Sequence, residues 1–286
     1  MTKKATGTVY VLLAAIFWSF AGIGVKYIPW HPLSISCVRG IVAAITIACL
    51  QKQWKIKLTK ATVMAAACVF VTTILFMFAN KMTSAANAIV LQYTSPIFVL
   101  IASTIASKSK FKLMDICTVC LTLLGITLFF MDSIGVQGNL WGDILALLSG
   151  VTFAGVFFVN GLPSANPKDA SLLGCAFSIF LLPMLFTDGG VAMGGWQAWV
   201  VAILLGTVQQ GLAYYFFAKG VSQTGSVTAS IICTAEPILN PLWVFLIMKE
   251  RPGVLSLIGG VIVVATIAVY NIISIRQSAG ADSVTS

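Results

Sequence analysis

The stretch TAEPILNP, residues 234–241, lies inside an apolar run that extends over residues 224–248. Its eight residues include a carboxylate, an amide and two prolines. Unsatisfied polar groups and charges are costly in hydrocarbon, so such a cluster at mid-helix marks a polar space or a partner inside a bundle. What Glu236 does there is the question from which the rest of the chain is read.

The 286 residues are 59% hydrophobic and only 9% charged. A soluble domain has about 25% charged residues, so a soluble fold is excluded. Crossing a hydrocarbon core of about 30 Å takes about 20 residues of helix. Polar punctuation divides the chain into ten such spans: 7–28, 33–50, 61–80, 85–106, 112–131, 140–160, 169–187, 196–218, 224–248 and 253–274. Their apolar residues run on without the period-two alternation of a membrane barrel, which leaves helices. The first span is longer than a signal-peptide core and has a counterpart later in the chain, so it is read as a retained helix. The polar tail after Arg276, QSAGADSVTS, is expected to be disordered.

The net charge of +9 would suit nucleic acid, but its distribution suits a membrane. Lys3, Lys4, Lys52, Lys55, Lys57, Lys60, Lys108, Lys110, Lys112, Lys168, Lys219 and Arg276 all fall on one side if the spans alternate. Lys26, Lys81, Lys249 and Arg251 fall on the other. The positive-inside rule places both termini in the cytoplasm, with the chain in the inner membrane. Cys117 and Cys120 form a C-x-x-C within an apolar helix, without a second pair to complete a metal site, and read as small packing residues. There is no Walker motif, zinc spacing or G-x-S-x-G turn, so the chain is expected to be neither an enzyme nor powered by ATP.

The chain repeats itself. LLAAIFWSFAG (residues 12–22) parallels LALLSGVTFAG (residues 145–155), and AIVLQYTSPIF (residues 88–98) parallels ASIICTAEPIL (residues 229–239). Pro96 then coincides with Pro237, and Ser95 with Glu236. FANKMTS and FAKGVSQ close spans three and eight in similar fashion. Two halves of five spans, an odd number, lie in opposite orientations, which is an inverted repeat with a cavity between its halves. The expected division is residues 1–136, 137–276 and a tail of 277–286.

AAIFWSFAGIGVKYI (residues 14–28) followed by HPLSISCVRGIVAAI (residues 31–45) resembles the opening of ten-helix EamA-type transporters of the drug/metabolite transporter superfamily. Residues 229–269, with Glu-Pro in helix nine and a second Glu before a glycine-bearing helix ten, are similar to that family's last two helices. SKSKFK (residues 107–112) departs from it, lacking an acidic residue at the end of helix four. The resemblance covers about residues 7–274 and implies a transporter of small metabolites by alternating access, without a bound cofactor. It suggests an amino-acid-like or amine substrate and export. Uptake of an organic cation and flipping of a lipid-linked sugar are the alternatives, and a membrane scaffold without a solute cavity is a further one.

The candidate substrate-binding residues are Glu236, Gln92, Tyr93, Trp18, Gln210, Tyr214 and Asn240. Gln210 and Tyr214 are four apart and share a helix face, and aromatic rings suit a cation or a flat substrate. Pro96, Pro237 and Pro241 remove helical hydrogen bonds and are expected to kink spans four and nine where the freed carbonyls line the cavity. Three roles are open to Glu236: binding a cationic group of the substrate, carrying a coupling proton, or holding helices together with Arg39 in a structural ion pair. Lys26 and Lys81 are expected to snorkel to the outer interface.

Overall fold

A computed structural model describes residues 3–25, 27–52, 55–83, 85–108, 110–131, 139–239 and 254–284. The described residues are helical and contain no strand. The first half comprises α1 (Lys3–Trp18), α2 (Ala21–Val25), α3 (Pro32–Gln51), α4 (Lys60–Met82), α5 (Ala85–Gln92), α6 (Ser95–Ser107) and α7 (Leu113–Phe130). The second comprises α8 (Leu140–Asn160), α9 (Pro167–Ala176), a 3-10 segment (Phe177–Leu181), α10 (Leu182–Thr187), α11 (Gly189–Met193), α12 (Gly195–Leu204), a π-helical segment (Leu205–Leu212), α13 (Ala213–Thr224), α14 (Ser226–Cys233) and α15 (Val254–Val284).

Five uninterrupted stretches among the described residues are long and apolar enough to cross a membrane: Pro32–Gln51, Lys60–Met82, Leu140–Asn160, Pro167–Thr187 and Gly195–Thr224. Expected spans one, four and nine are each interrupted by a break. Helix α1 stops at Trp18 and α2 starts at Ala21; α5 stops at Gln92 and α6 starts at Ser95; α14 stops at Cys233 and helix resumes at residues 236–239. Asn240 and Pro241 lie outside the described residues, as do Lys26, Lys249 and Arg251. Helix α15 continues to Val284, past Arg276, where the sequence suggests a disordered tail. Once a helix is formed each further residue adds a hydrogen bond, and Gln277, Ala279 and Ala281 suit its extension.

The two halves are related by an exchange of elements. Spans one to five correspond to spans six to ten, and the packing maps onto itself under that exchange. Helix α4 packs on α8, as α13 packs on α1; α4 meets α9, as the π segment meets α3; α5 and α6 meet α8, as α14 meets α1. The pairs α3 with α9, α6 with α14, and α7 with α15 are their own counterparts. A two-fold relation between oppositely oriented halves produces this pattern, and it sets the paired breaks of spans four and nine beside each other.

Helix ends follow local chemistry. Pro32 opens α3 behind the cap residue His31, whose Nδ1 accepts from the Leu33 amide at 3.3 Å. Pro167 opens α9 behind Asn166, whose Oδ1 accepts from the Lys168 and Asp169 amides. Spans two and seven are tied across the repeats at both ends. The His31 amide donates to Asp188 at 2.7 Å, and the Lys57 amide donates to Asp169 at 3.0 Å. Between these ties the helices touch at glycine. A Cβ on Gly40 would lie 1.9 Å from Ser178 Oγ and 2.4 Å from Ser178 Cβ, so only hydrogen fits.

Candidate functional site

The site is built where helices break. The proline at the second position of α6, Pro96, has no amide hydrogen to give to Gln92, and Pro237 has none to give to Cys233. The chain turns at Tyr93–Thr94 and at Thr234–Ala235 in the same way. Ile97 donates to the Thr94 carbonyl at 3.0 Å, and Ile238 donates to that of Ala235 at 3.2 Å. The Gln92 carbonyl would stand 2.9 Å from a Cβ on Gly150, so the kinked helix of span four rests directly on α8 where that helix carries a glycine. Span eight is continuous but widens into a π-helical segment in which Gln209 and Gln210 are buried.

These interruptions surround a central cavity of about 40 Å³. Trp18 of α1, Arg39 of α3, Gln92 of α5, Gln210 of the π segment, Tyr214 of α13 and Glu236 line it. Tyr93 stands behind it, buried, and its hydroxyl donates to Glu236 Oε2. Thus Trp18, Gln92, Tyr93, Gln210, Tyr214 and Glu236, from four of the expected spans, are brought to one place, with Gln92 and Glu236 lining the same cavity beside the paired breaks.

Arg39 shares this cavity with Glu236, and its own hydrogen bonds run elsewhere. Its Nε donates to Gln210 Oε1 at 2.7 Å, and Nη1 approaches Met77 Sδ at 3.8 Å. Gln210 passes the interaction on, donating through Nε2 to Cys175 Sγ at 3.5 Å. The guanidinium is therefore anchored by an amide that bears no charge, and it shares the cavity with the Glu236 carboxylate. A bundle interior gives a buried charge no water in return, so both charges are costly unless they see each other or a charged ligand.

Sequence reading missed several wall residues: Thr72, Thr73 and Phe76 of α4, Phe153 of α8, and Gln209. Two adjacent threonines midway along span three, the counterpart of span eight with its glutamines, were the readable signal. Phe153 carried none, because one phenylalanine among many in an apolar helix looks like packing. It meets the Trp18 ring edge-on at 5.7 Å, and Tyr214 also meets Trp18 edge-on at 5.2 Å. Gln209 donates to the Trp18 carbonyl at 3.5 Å, while its Oε1 is buried without a donor among the described residues. That leaves one acceptor at the cavity wall for a ligand N–H.

The model of the EamA-like transporter family matches residues 5–131 and again residues 140–272. The chain belongs to the EamA-like transporter family. It is 24% identical over 282 residues to an uncharacterized transporter of Clostridium kluyveri, with 90% of each chain covered. It is 26% identical over 258 residues to the uncharacterized transporter YwfM of Bacillus subtilis, covering 82% of this chain and 83% of that one. A solved crystal structure superimposes with a TM-score of 0.76 at 14% identity, covering 96% of this chain and 99% of its own, which speaks for the fold. As an EamA-like transporter this chain is a multi-pass membrane protein with two inverted five-helix repeats and a transport role. The double match of the family model falls on the two halves that the internal repeat marks.

Proposed function

We propose that this EamA-like transporter is a secondary transporter of a small amino-acid-like metabolite, moved outward across the inner membrane by alternating access. One observation carries this reading: the central cavity presents a carboxylate, Glu236, and a guanidinium, Arg39, together. An amino-acid-like zwitterion complements both and would offset the desolvation of each. Gln209 Oε1 offers a further acceptor, and the edges and faces of Trp18, Tyr214 and Phe153 shape an apolar wall for a side chain. A simple organic cation would satisfy Glu236 and the rings but would sit beside Arg39, which opposes it. A lipid-linked sugar would need a cavity open along its side. Export follows from the family resemblance, and the coupling ion in this reading is the proton, with Tyr93 and Glu236 as its candidate seat.

The purified protein, screened by thermal unfolding against amino acids, amines and lipid-linked sugars, tests the substrate class. A ligand at 100 times its dissociation constant stabilises by about 2.7 kcal/mol, enough for a rise of several degrees. A rise with one or more zwitterionic amino acids, absent with the matching amines, is the expected result. A rise with amines alone moves the reading to organic cations.

Orientation is tested separately. A phosphatase or fluorescent reporter fused after Arg276 is expected to report the cytoplasmic side, as the lysine-rich loops require. A periplasmic readout would overturn the ten-span topology with both termini inside.

A further inference from the structure

A second cavity lies on the outside of the bundle. It has a volume of about 550 Å³ and runs between α1, span nine and α15. Thr8, Leu12 and Ile16 form one wall, Ile232, Ala235 and Ile238 the next, and Val264, Ile267 and Ile272 the third. Leu12, Val264 and Ile272 are exposed, so the groove opens toward the bilayer. From Lys4 to Ile16, and from Arg276 back to Val264, there are twelve residues, about 18 Å of helix at 1.5 Å per residue. That is close to one leaflet of a hydrocarbon core of about 30 Å.

The groove has a charged mouth. Lys4 stands one turn before Thr8 on α1. Lys112 caps α7, the helix that packs on α15. Burial, and then the nearby Lys112, lower the pKa of Lys4, so two cations crowd together at this end. Thr8, about 6 Å deeper by helix rise, has a hydroxyl with no hydrogen-bond partner among the described residues. Cations at the interface, a hydroxyl at the depth of ester oxygens and an apolar trough to the midplane are the chemistry of one kind of molecule.

We propose that this groove binds a single anionic phospholipid, with an acyl chain lying between α1, span nine and α15 and its phosphate held at Lys4 and Lys112. Ala235 lines the groove while the next residue, Glu236, lines the central cavity. The bound chain therefore packs against the break of span nine from behind and steadies the turn that aims Glu236.

The test uses full-length protein stripped of lipid in detergent. Phosphatidylglycerol, phosphatidylcholine and soluble glycerol phosphate are added in turn, and retained lipid is read by native mass spectrometry alongside thermal unfolding. Phosphatidylglycerol is expected to be retained and to raise the unfolding temperature, phosphatidylcholine to be retained at least tenfold less, and glycerol phosphate to do neither. Lys4→Ala with Lys112→Ala is expected to weaken phosphatidylglycerol retention by about fivefold for each cation removed. Leu12→Trp with Val264→Trp, at exposed positions, is expected to fill the groove and expel both lipids. A photoreactive phosphatidylglycerol on the native protein covers the case in which a variant does not fold; its adducts should map to peptides spanning residues 8–16, 232–239 or 264–272. Equal retention of the two lipids, stabilisation by glycerol phosphate alone, an unchanged double-alanine variant, or adducts only elsewhere would each overturn the proposal.

Discussion

Glu236→Gln is expected to leave a folded protein that binds its substrate about 10- to 150-fold more weakly, the worth of a charge-assisted hydrogen bond of about 1.5–3 kcal/mol. Packing should survive because glutamine has the same shape and its carbonyl can still accept from the Tyr93 hydroxyl, which now donates to Glu236. The variant separates the three roles open to the carboxylate. Loss of binding at unchanged stability identifies a substrate site. Loss of pH-driven accumulation with solute exchange preserved identifies the seat of a coupling proton. Reduced stability, with residual transport of unchanged pH dependence, identifies a structural partner of Arg39. Expression, thermal unfolding, binding and pH-dependent flux on this one protein distinguish these outcomes. Normal values for all four would remove Glu236 from the mechanism.

The second large effect is expected from a single methyl group. Gly40→Ala places a Cβ 2.4 Å from Ser178 Cβ and 3.1 Å from the Cys175 carbonyl, at the crossing of spans two and seven. Forcing atoms into a packed interface costs about 1–3 kcal/mol, and here the strain falls on the turn that holds Cys175 against Gln210 and so, through Gln210, on Arg39. A clear fall in unfolding temperature with weakened substrate binding is expected. Adding Ser178→Gly removes both side-chain atoms in the way and should restore most of the stability, leaving only the tighter approach to the carbonyl. If the double variant is no better than Gly40→Ala alone, the close crossing of these helices is not where the damage lies.

Much of this protein could be read from residue order. Long apolar stretches with few charges require membrane helices, since every backbone polar group must be satisfied within its own segment. Pro96 and Pro237 announced breaks, because a missing amide hydrogen acts on the carbonyl four residues back wherever the helix is placed. Their coincidence in two halves of five spans carried the inverted repeat, and the lysines after even-numbered spans give an expected orientation that the reporter fusion tests. Glu236 stood out because a carboxylate inside an apolar span is costly in any arrangement.

Which side chains meet was decided by tertiary structure. Arg39 was the obvious partner for Glu236, yet its Nε hydrogen bond goes to Gln210, while Glu236 accepts from Tyr93, a residue selected on other grounds. Gln209 and Gln210 are both buried where span eight widens into a π-helical segment, and no composition rule locates that segment. Thr72, Thr73 and Phe153 became wall residues through the close crossing of α4 and α8. The reason is physical. Propensity, proline and charge act along one helix, and residue order records them. The rotation of each helix about its axis is set by contacts with its neighbours, through small residues such as Gly40 and Gly150. Helices that are apolar on every side carry no stripe to say which face turns inward.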